Sequence, residues 1–146
     1  MLNLRHSGVV VKDMETSLRF YRDLLGLKVV RDMLESGEYV DSILSLKGAS
    51  VRTVKLSADK GDTLLELLEF KSQQCERRTA SGLCDLGPTH IAFTVENLDT
   101  VYGRLKSAGT KFNSQPKVSP ELFAKVVFCR DPDGTFIELV EQLRTA

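Results

Sequence analysis

Residues 6–13 read HSGVVVKD and residues 90–97 read HIAFTVEN, and the fold turns on whether these are two copies of one unit. Each opens on a histidine, places a valine five positions later and closes on Asp13 or Asn97. These are the two histidines of the 146-residue chain, one to a copy. At the offset of 84 that takes His6 to His90, Val11 meets Val95, Met14 meets Leu98 and Thr16 meets Thr100. A second phrase recurs at the offset of 72 that takes Glu66 to Glu138: LELLEF at 65–70 and IELVEQ at 137–142. The first copy therefore holds about twelve extra residues between its phrases, and repetition at this scale marks a duplicated structural unit.

Each copy begins as a short strand rich in β-branched and aromatic residues. A helix follows, with Asp13 or Asn97 as the N-cap whose side-chain oxygen can accept from first-turn amides. Gly26 and Gly109 end these helices, since glycine tolerates the left-handed backbone past a helix terminus. Met14, Leu18, Tyr21 and Leu25 form an apolar stripe on the first helix, and Leu98, Val101, Leu105 and Ala108 one on the second. Strands are expected over about 27–34, 41–47, 50–57 and 63–70, then 110–113, 122–130 and 135–142. RDPDGT at 130–135 is a hairpin signal. The predicted class is α+β: two paired βαβββ modules forming a curved mixed sheet with helices on one face and a concave cleft on the other. The boundaries are a single domain over 1–146, with module one about 1–72, a linker about 71–89 and module two about 89–144.

Strand alternation sets what each face carries. Ile91, Phe93 and Val95 suit the helix side, whereas His90 shares its face with Ala92 and Thr94, and His6 shares its own with Gly8 and Val10. Small neighbours leave room before both imidazoles. Glu66 and Glu138 lie mid-strand among Leu64, Leu68, Phe136 and Val140, where a carboxylate loses water at a cost of several kcal/mol unless a cation or hydrogen bonds replace it. Glu69 and Glu141 face the other way and read as surface or salt-bridge residues. Singly, each histidine or buried glutamate would be ordinary core furniture. Together, His6, Glu66, His90 and Glu138 stand at equivalent points of a repeat, and two imidazoles with two carboxylates suit one divalent metal, Ni, Co, Zn, Mn or Fe.

Composition narrows the classes. Twenty basic and twenty acidic residues cancel, so nothing favours nucleic acid or an anionic membrane, and no apolar run is long enough to span a bilayer. A charge near the N-terminus argues against a signal peptide, so the expected setting is cytoplasmic. Cys75, Cys84 and Cys129 make an odd count without a Cys-x-x-Cys pair and read as reduced bystanders. Arg77 and Arg78 form a short basic cluster that reads as a solvated loop or a local anion contact.

With these residues in view, the chain is identified as a member of the vicinal oxygen chelate superfamily, the group of glyoxalase (lactoylglutathione lyase), methylmalonyl-CoA epimerase, extradiol dioxygenases and bleomycin resistance proteins. The resemblance runs through HSGVVVKDMETSLRFYRDLLGL, TLLELLEF, THIAFTVENLD and FCRDPDGTFIELVE. It places the superfamily's four metal ligands on His6, Glu66, His90 and Glu138, and it implies a divalent-metal-dependent lyase or isomerase acting through a metal-chelated enediolate or enolate. Glu138, and with it Glu66, is then the catalytic base. Four protein ligands leave two positions on a six-coordinate metal, enough for two vicinal oxygens and one short of what an Fe(II) catechol dioxygenase needs. That reaction and non-catalytic small-molecule binding remain the alternatives; family members that only sequester bleomycin lack the metal set. The substrate is expected to be small, such as a glutathione or CoA thioester adduct, with Arg5, Arg19, Arg22, Lys125 and Arg130 as candidate anion contacts. Segment 71–89 borders the pocket or is a surface loop, and module pairing points to a homodimer.

Overall fold

A computed structural model describes residues 1–76 and 82–144. Its contacts divide the chain into two compact units, Met1–Arg77 and Arg78–Ala146. The Arg77–Arg78 cluster lies outside the described residues.

In the first unit, β1 (His6–Val10) leads into α1 (Met14–Leu18), followed by β2 (Lys28–Ser36), α2 (Glu38–Leu44), β3 (Ser50–Ser57) and β4 (Leu64–Phe70). Asp13 caps α1 as expected, its carboxylate accepting the Thr16 amide at 2.7 Å. That hydrogen bond favours the ionised form and holds the carboxyl below its usual range. The helix widens into a π-helical turn over Arg19–Leu24 before Gly26 reverses the chain at φ 92°. The strands form a four-stranded sheet in the order β1-β4-β3-β2, with β1 parallel to β4 and the others antiparallel. Met14, Leu18 and Tyr21 on the helix and Val9, Val54, Leu56, Leu65 and Leu67 on the strands are buried. Each such side chain contributes about 1.5–3 kcal/mol when fully removed from water.

The second unit repeats the plan: β5 (His90–Thr94), α3 (Leu98–Ser107), β6 (Lys117–Val118), β7 (Ala124–Arg130) and β8 (Phe136–Gln142), in the order β5-β8-β7-β6. Asn97 caps α3 by accepting the Thr100 amide at 3.0 Å, and Gly109 turns at φ 89°. α3 packs on β8 as α1 packs on β4. The hairpin at 130–135 closes through Asp131, which accepts the amides of Asp133 and Thr135, with Gly134 at φ 86°.

Two expected strands are not strands. Residues 41–47 belong largely to α2, because Val40 turns inward against Ala49 and Val51, with Leu68 and Phe70 beside them. Asp41 then uses both carboxylate oxygens on the amides of Gly48 and Ala49, fastening the helix to β3. The β2–β3 connection spans 37–49 whereas β6–β7 spans 119–123, so α2 accounts for most of the extra length in the first copy. Residues 110–113 supply one bridge, Phe112 to Cys129, and the short strand falls later, at Lys117–Val118. Pro116 follows a run of turn-forming residues, which delays pairing until the chain is again extended.

Candidate metal centre

Parallel pairing fixes how each histidine meets its glutamate. In the first unit Gly8 is opposite Glu66, and His6, two residues earlier, shares its face. In the second, Ala92 is opposite Glu138 and His90 stands two residues earlier. The outcome is the same twice: His6 Nε2 lies 3.7 Å from Glu66 Oε2, and His90 Nε2 lies 3.2 Å from Glu138 Oε2. Both carboxylates are largely withdrawn from water, with side-chain exposures of 13% and 22%, while the imidazoles are near 35%. Alternation supplies this contrast, since Leu65 and Leu67, or Ile137 and Leu139, point to the opposite, helix-covered face and are buried.

The surroundings of the two pairs differ. His90 Nδ1 lies 2.8 Å from the Thr89 hydroxyl, a hydrogen-bonding contact that orients the ring with Nε2 toward Glu138. The Phe128 ring, directly across β7 from Glu138, meets the His90 ring edge-on at 5.2 Å. His6 Nδ1 is buried without a hydrogen-bond partner among the described residues. Across β3 from Glu66 stands Lys55, whose Nζ is 3.5 Å from Glu66 Oε2. Sequence reading passed over Lys55 and Thr89: Lys55 is an ordinary strand residue until the β3–β4 register is known.

Among the described residues no three His, Cys, Asp or Glu side chains gather into a metal group, so each unit offers a pair of donors. The pairs fit a divalent cation in donor chemistry: one imidazole nitrogen and one carboxylate oxygen converge in each, on the open face of a strand, with small Gly8 or Ala92 alongside.

The neighbouring glutamates stand apart from these pairs. Glu141 accepts the first amide of α3, Leu98 N, at 3.0 Å. Glu69, expected as a surface or salt-bridge residue, is buried on the helix-covered side and makes an ion pair, Lys71 Nζ lying 2.7 Å from its Oε2 without a hydrogen bond. Of the basic candidates, Arg5 is exposed, Arg19 donates to Thr16, Arg22 pairs with Asp23, and Lys125 pairs with Asp99. Arg130 lies over the Phe136 ring at 4.0 Å, in the strand row that ends at His90. Cys129 is fully buried and its thiol is pushed up to about 12 by desolvation, which rules it out as a nucleophile; Cys75 and Cys84 are exposed. A shallow polar depression by α2, lined by Ser36, Glu38, Asp41 and Ser42, contains neither pair.

The sequence profile described as "Glyoxalase/Bleomycin resistance protein/Dioxygenase superfamily" matches residues 3–139. The chain belongs to this superfamily. Among superfamily relatives, the lactoylglutathione lyase of Schizosaccharomyces pombe is 31% identical over 97% of the chain, which spans 48% of that longer protein. The lactoylglutathione lyase of Escherichia coli O157:H7 is 26% identical, over 97% of the chain and 93% of the relative. The crystal structure of a glyoxalase family protein from Bacillus cereus superposes with a TM-score of 0.88 at 24% identity, covering 99% of this chain and 96% of that one, and so shares the fold. No helix among the described residues is long and apolar enough to cross a membrane.

Proposed function

We propose that this superfamily member is a divalent-metal-dependent lyase or isomerase of the glyoxalase type, with His6, Glu66, His90 and Glu138 as ligands of one metal. The observation that carries this reading is the recurrence of one histidine–glutamate pair at the same register point of both units. Two donors per unit leave a six-coordinate cation far from saturated, and on this reading both pairs serve one ion, within one chain or across a homodimer. Bound there, a divalent cation supplies Lewis-acid stabilisation of negative charge developing on substrate oxygen. The chain's own residues do the rest. Glu138 is the better base of the two glutamates, since Ala92 and Phe128 flank it where Glu66 has a lysine, and its carboxylate can receive a proton from substrate carbon. Thr89 holds the His90 ring in one orientation, and the Phe128 ring packs edge-on against it. The relatives named lactoylglutathione lyase support a thiol adduct of a 2-oxoaldehyde as substrate, and a CoA thioester with an acidic C–H is the second choice.

The test is metal analysis of purified protein, followed by stripping with chelator, reloading with Ni, Co, Zn, Mn or Fe(II), and a panel of glutathione hemithioacetal, CoA thioester and catechol. Conversion of a thiol adduct or thioester that vanishes on stripping and returns on reloading is the expected result. Oxygen uptake with catechol would replace the lyase with a dioxygenase; stoichiometric binding without turnover, indifferent to metal, would leave a binding protein.

A further inference from the structure

The glutamate rows of the two units differ in charge, and the first alone carries cations. In the second unit the row runs Ala92–Glu138–Phe128, with no cation. In the first it runs Gly8–Glu66–Lys55–Arg31, since Lys55 is opposite both Glu66 on β4 and Arg31 on β2. The second unit acts as an internal control: the same strand pairing forms there around phenylalanine, so folding does not demand a lysine. Like charges directly opposite one another across strands are destabilising, and Lys55 faces Arg31 in that manner.

Among the described residues one carboxylate, Glu66, lies within ion-pair reach of Lys55. Glu66 Oε2 lies 3.5 Å from Lys55 Nζ, long for a charge-assisted hydrogen bond. Glu35, further along the same face of β2, accepts the Thr53 hydroxyl at 2.7 Å. Asp32 points to the other face and is held by Arg52 through two hydrogen bonds of 3.0 and 2.7 Å. The Arg31 guanidinium rests against the uncharged sulfur of Met33. Once Glu66 gives its charge to a metal, Lys55 loses the carboxylate nearest it, with exposed Arg31 still opposite. Lys55 is only 20% exposed, so water replaces that anion poorly.

The geometry points to a subsite for an anionic group, carboxylate or phosphate, bound by Lys55 and Arg31 beside the chelating end of the ligand. The substrate class is thus an acid whose negative group projects along the first unit's sheet from its vicinal oxygens. The chelating half of this statement rests on the metal reading; the anion half stands on the strand row alone.

Three hydroxamates separate the two. Acetohydroxamate offers two vicinal oxygens and nothing else; succinic monohydroxamate adds a carboxylate, and phosphonoacetohydroxamate a phosphonate. Titrated calorimetrically into Co(II)-loaded protein, the acid-bearing probes are expected to bind at least about tenfold more tightly than acetohydroxamate, the gain of one charge-assisted contact. Arg31→Leu should remove most of that advantage while acetohydroxamate affinity holds, Lys55→Met should remove it relative to acetohydroxamate measured on the same variant, and the better acid probe identifies the group. Acetohydroxamate binding with no advantage for either acid overturns the subsite and leaves the metal reading intact. A protein that holds no metal is tested instead as Glu66→Gln, which releases Lys55 from its internal carboxylate. Inorganic phosphate should then shift the Arg31 Nε–H resonance saturably, and the shift should disappear on adding Lys55→Met, with amide dispersion confirming that both variants fold. No shift across the phosphate titration overturns the subsite whatever becomes of the metal.

Discussion

Glu66 and Glu138 are chemically identical residues at equivalent points of a repeat, and their neighbours differ. Among the described residues Lys55 lies 3.5 Å from Glu66, whereas Glu138 pairs with His90 and is flanked by Ala92 and Phe128. Glu138→Gln is therefore expected to lower kcat by about 10²- to 10⁴-fold, the usual contribution of a general base, even with metal supplied in excess. Glu66→Gln under the same conditions should lose metal affinity with a smaller loss of kcat at saturating metal, a contrast read by steady-state kinetics across a metal titration. Arg52 gives a pH prediction at the same scale. Its hydrogen bonds hold the Asp32 carboxyl below the usual aspartate range, and so favour the folded state fully above the ordinary value of about 3.9. That stability is lost as pH falls through the lowered folded value, so Asp32→Asn should flatten the acid limb of a Tm-against-pH curve and lower the plateau near neutrality slightly. The cysteines supply a third check. With Cys129 buried and Cys75 and Cys84 exposed, a disulfide-exchange reagent at pH 8 should titrate two thiols in native protein and the third only after denaturation. Rapid reaction of all three would contradict the burial.

At the scale of elements, the two helices share their starting and stopping chemistry. Asn97→Ala removes the acceptor for the Thr100 amide and should cost about 1 kcal/mol. Gly109→Ala, at φ 89° with open space where the new methyl would sit, pays only for backbone strain and should cost about the same. Equilibrium urea unfolding reads both, and a negligible effect of either would mean that end of α3 is not set by its cap. The caps, the glycine stops and the alternation around His6 and His90 were legible before any coordinates, because each depends on residues within a few positions of one another. α2 was not legible. DSILSLK alternates well enough to pass for a strand, and the burial of Val40 against Ala49, Val51, Leu68 and Phe70 that decides for a helix is tertiary. For Glu69, read as a surface or salt-bridge residue, the structure gives the salt bridge, with Lys71, on a buried carboxylate. Lys55 and Arg31 became meaningful only with the register, since a row across four strands has no signature along the chain.

Over the whole chain, the proposed reading has duplication turn two weak half-sites into one strong one. A single imidazole–carboxylate pair is a poor trap for a divalent ion, because two donors rarely outcompete water, so a functional centre on the proposed reading needs both units. This separates cooperation from mere repetition. If each pair held its own ion, replacing one pair would leave about half the metal; if both serve one ion, replacing either pair removes nearly all of it. The doubly substituted His6→Ala/Glu66→Gln and His90→Ala/Glu138→Gln proteins are each expected to retain less than about a tenth of the wild-type metal, the consequence of losing several kcal/mol of ligation from one shared ion. Elemental analysis after dialysis against a weak chelator measures it, with circular dichroism showing that the sheets persist. Retention of half the metal in both variants would split the centre into two independent sites and remove the basis for a chelated vicinal-oxygen substrate.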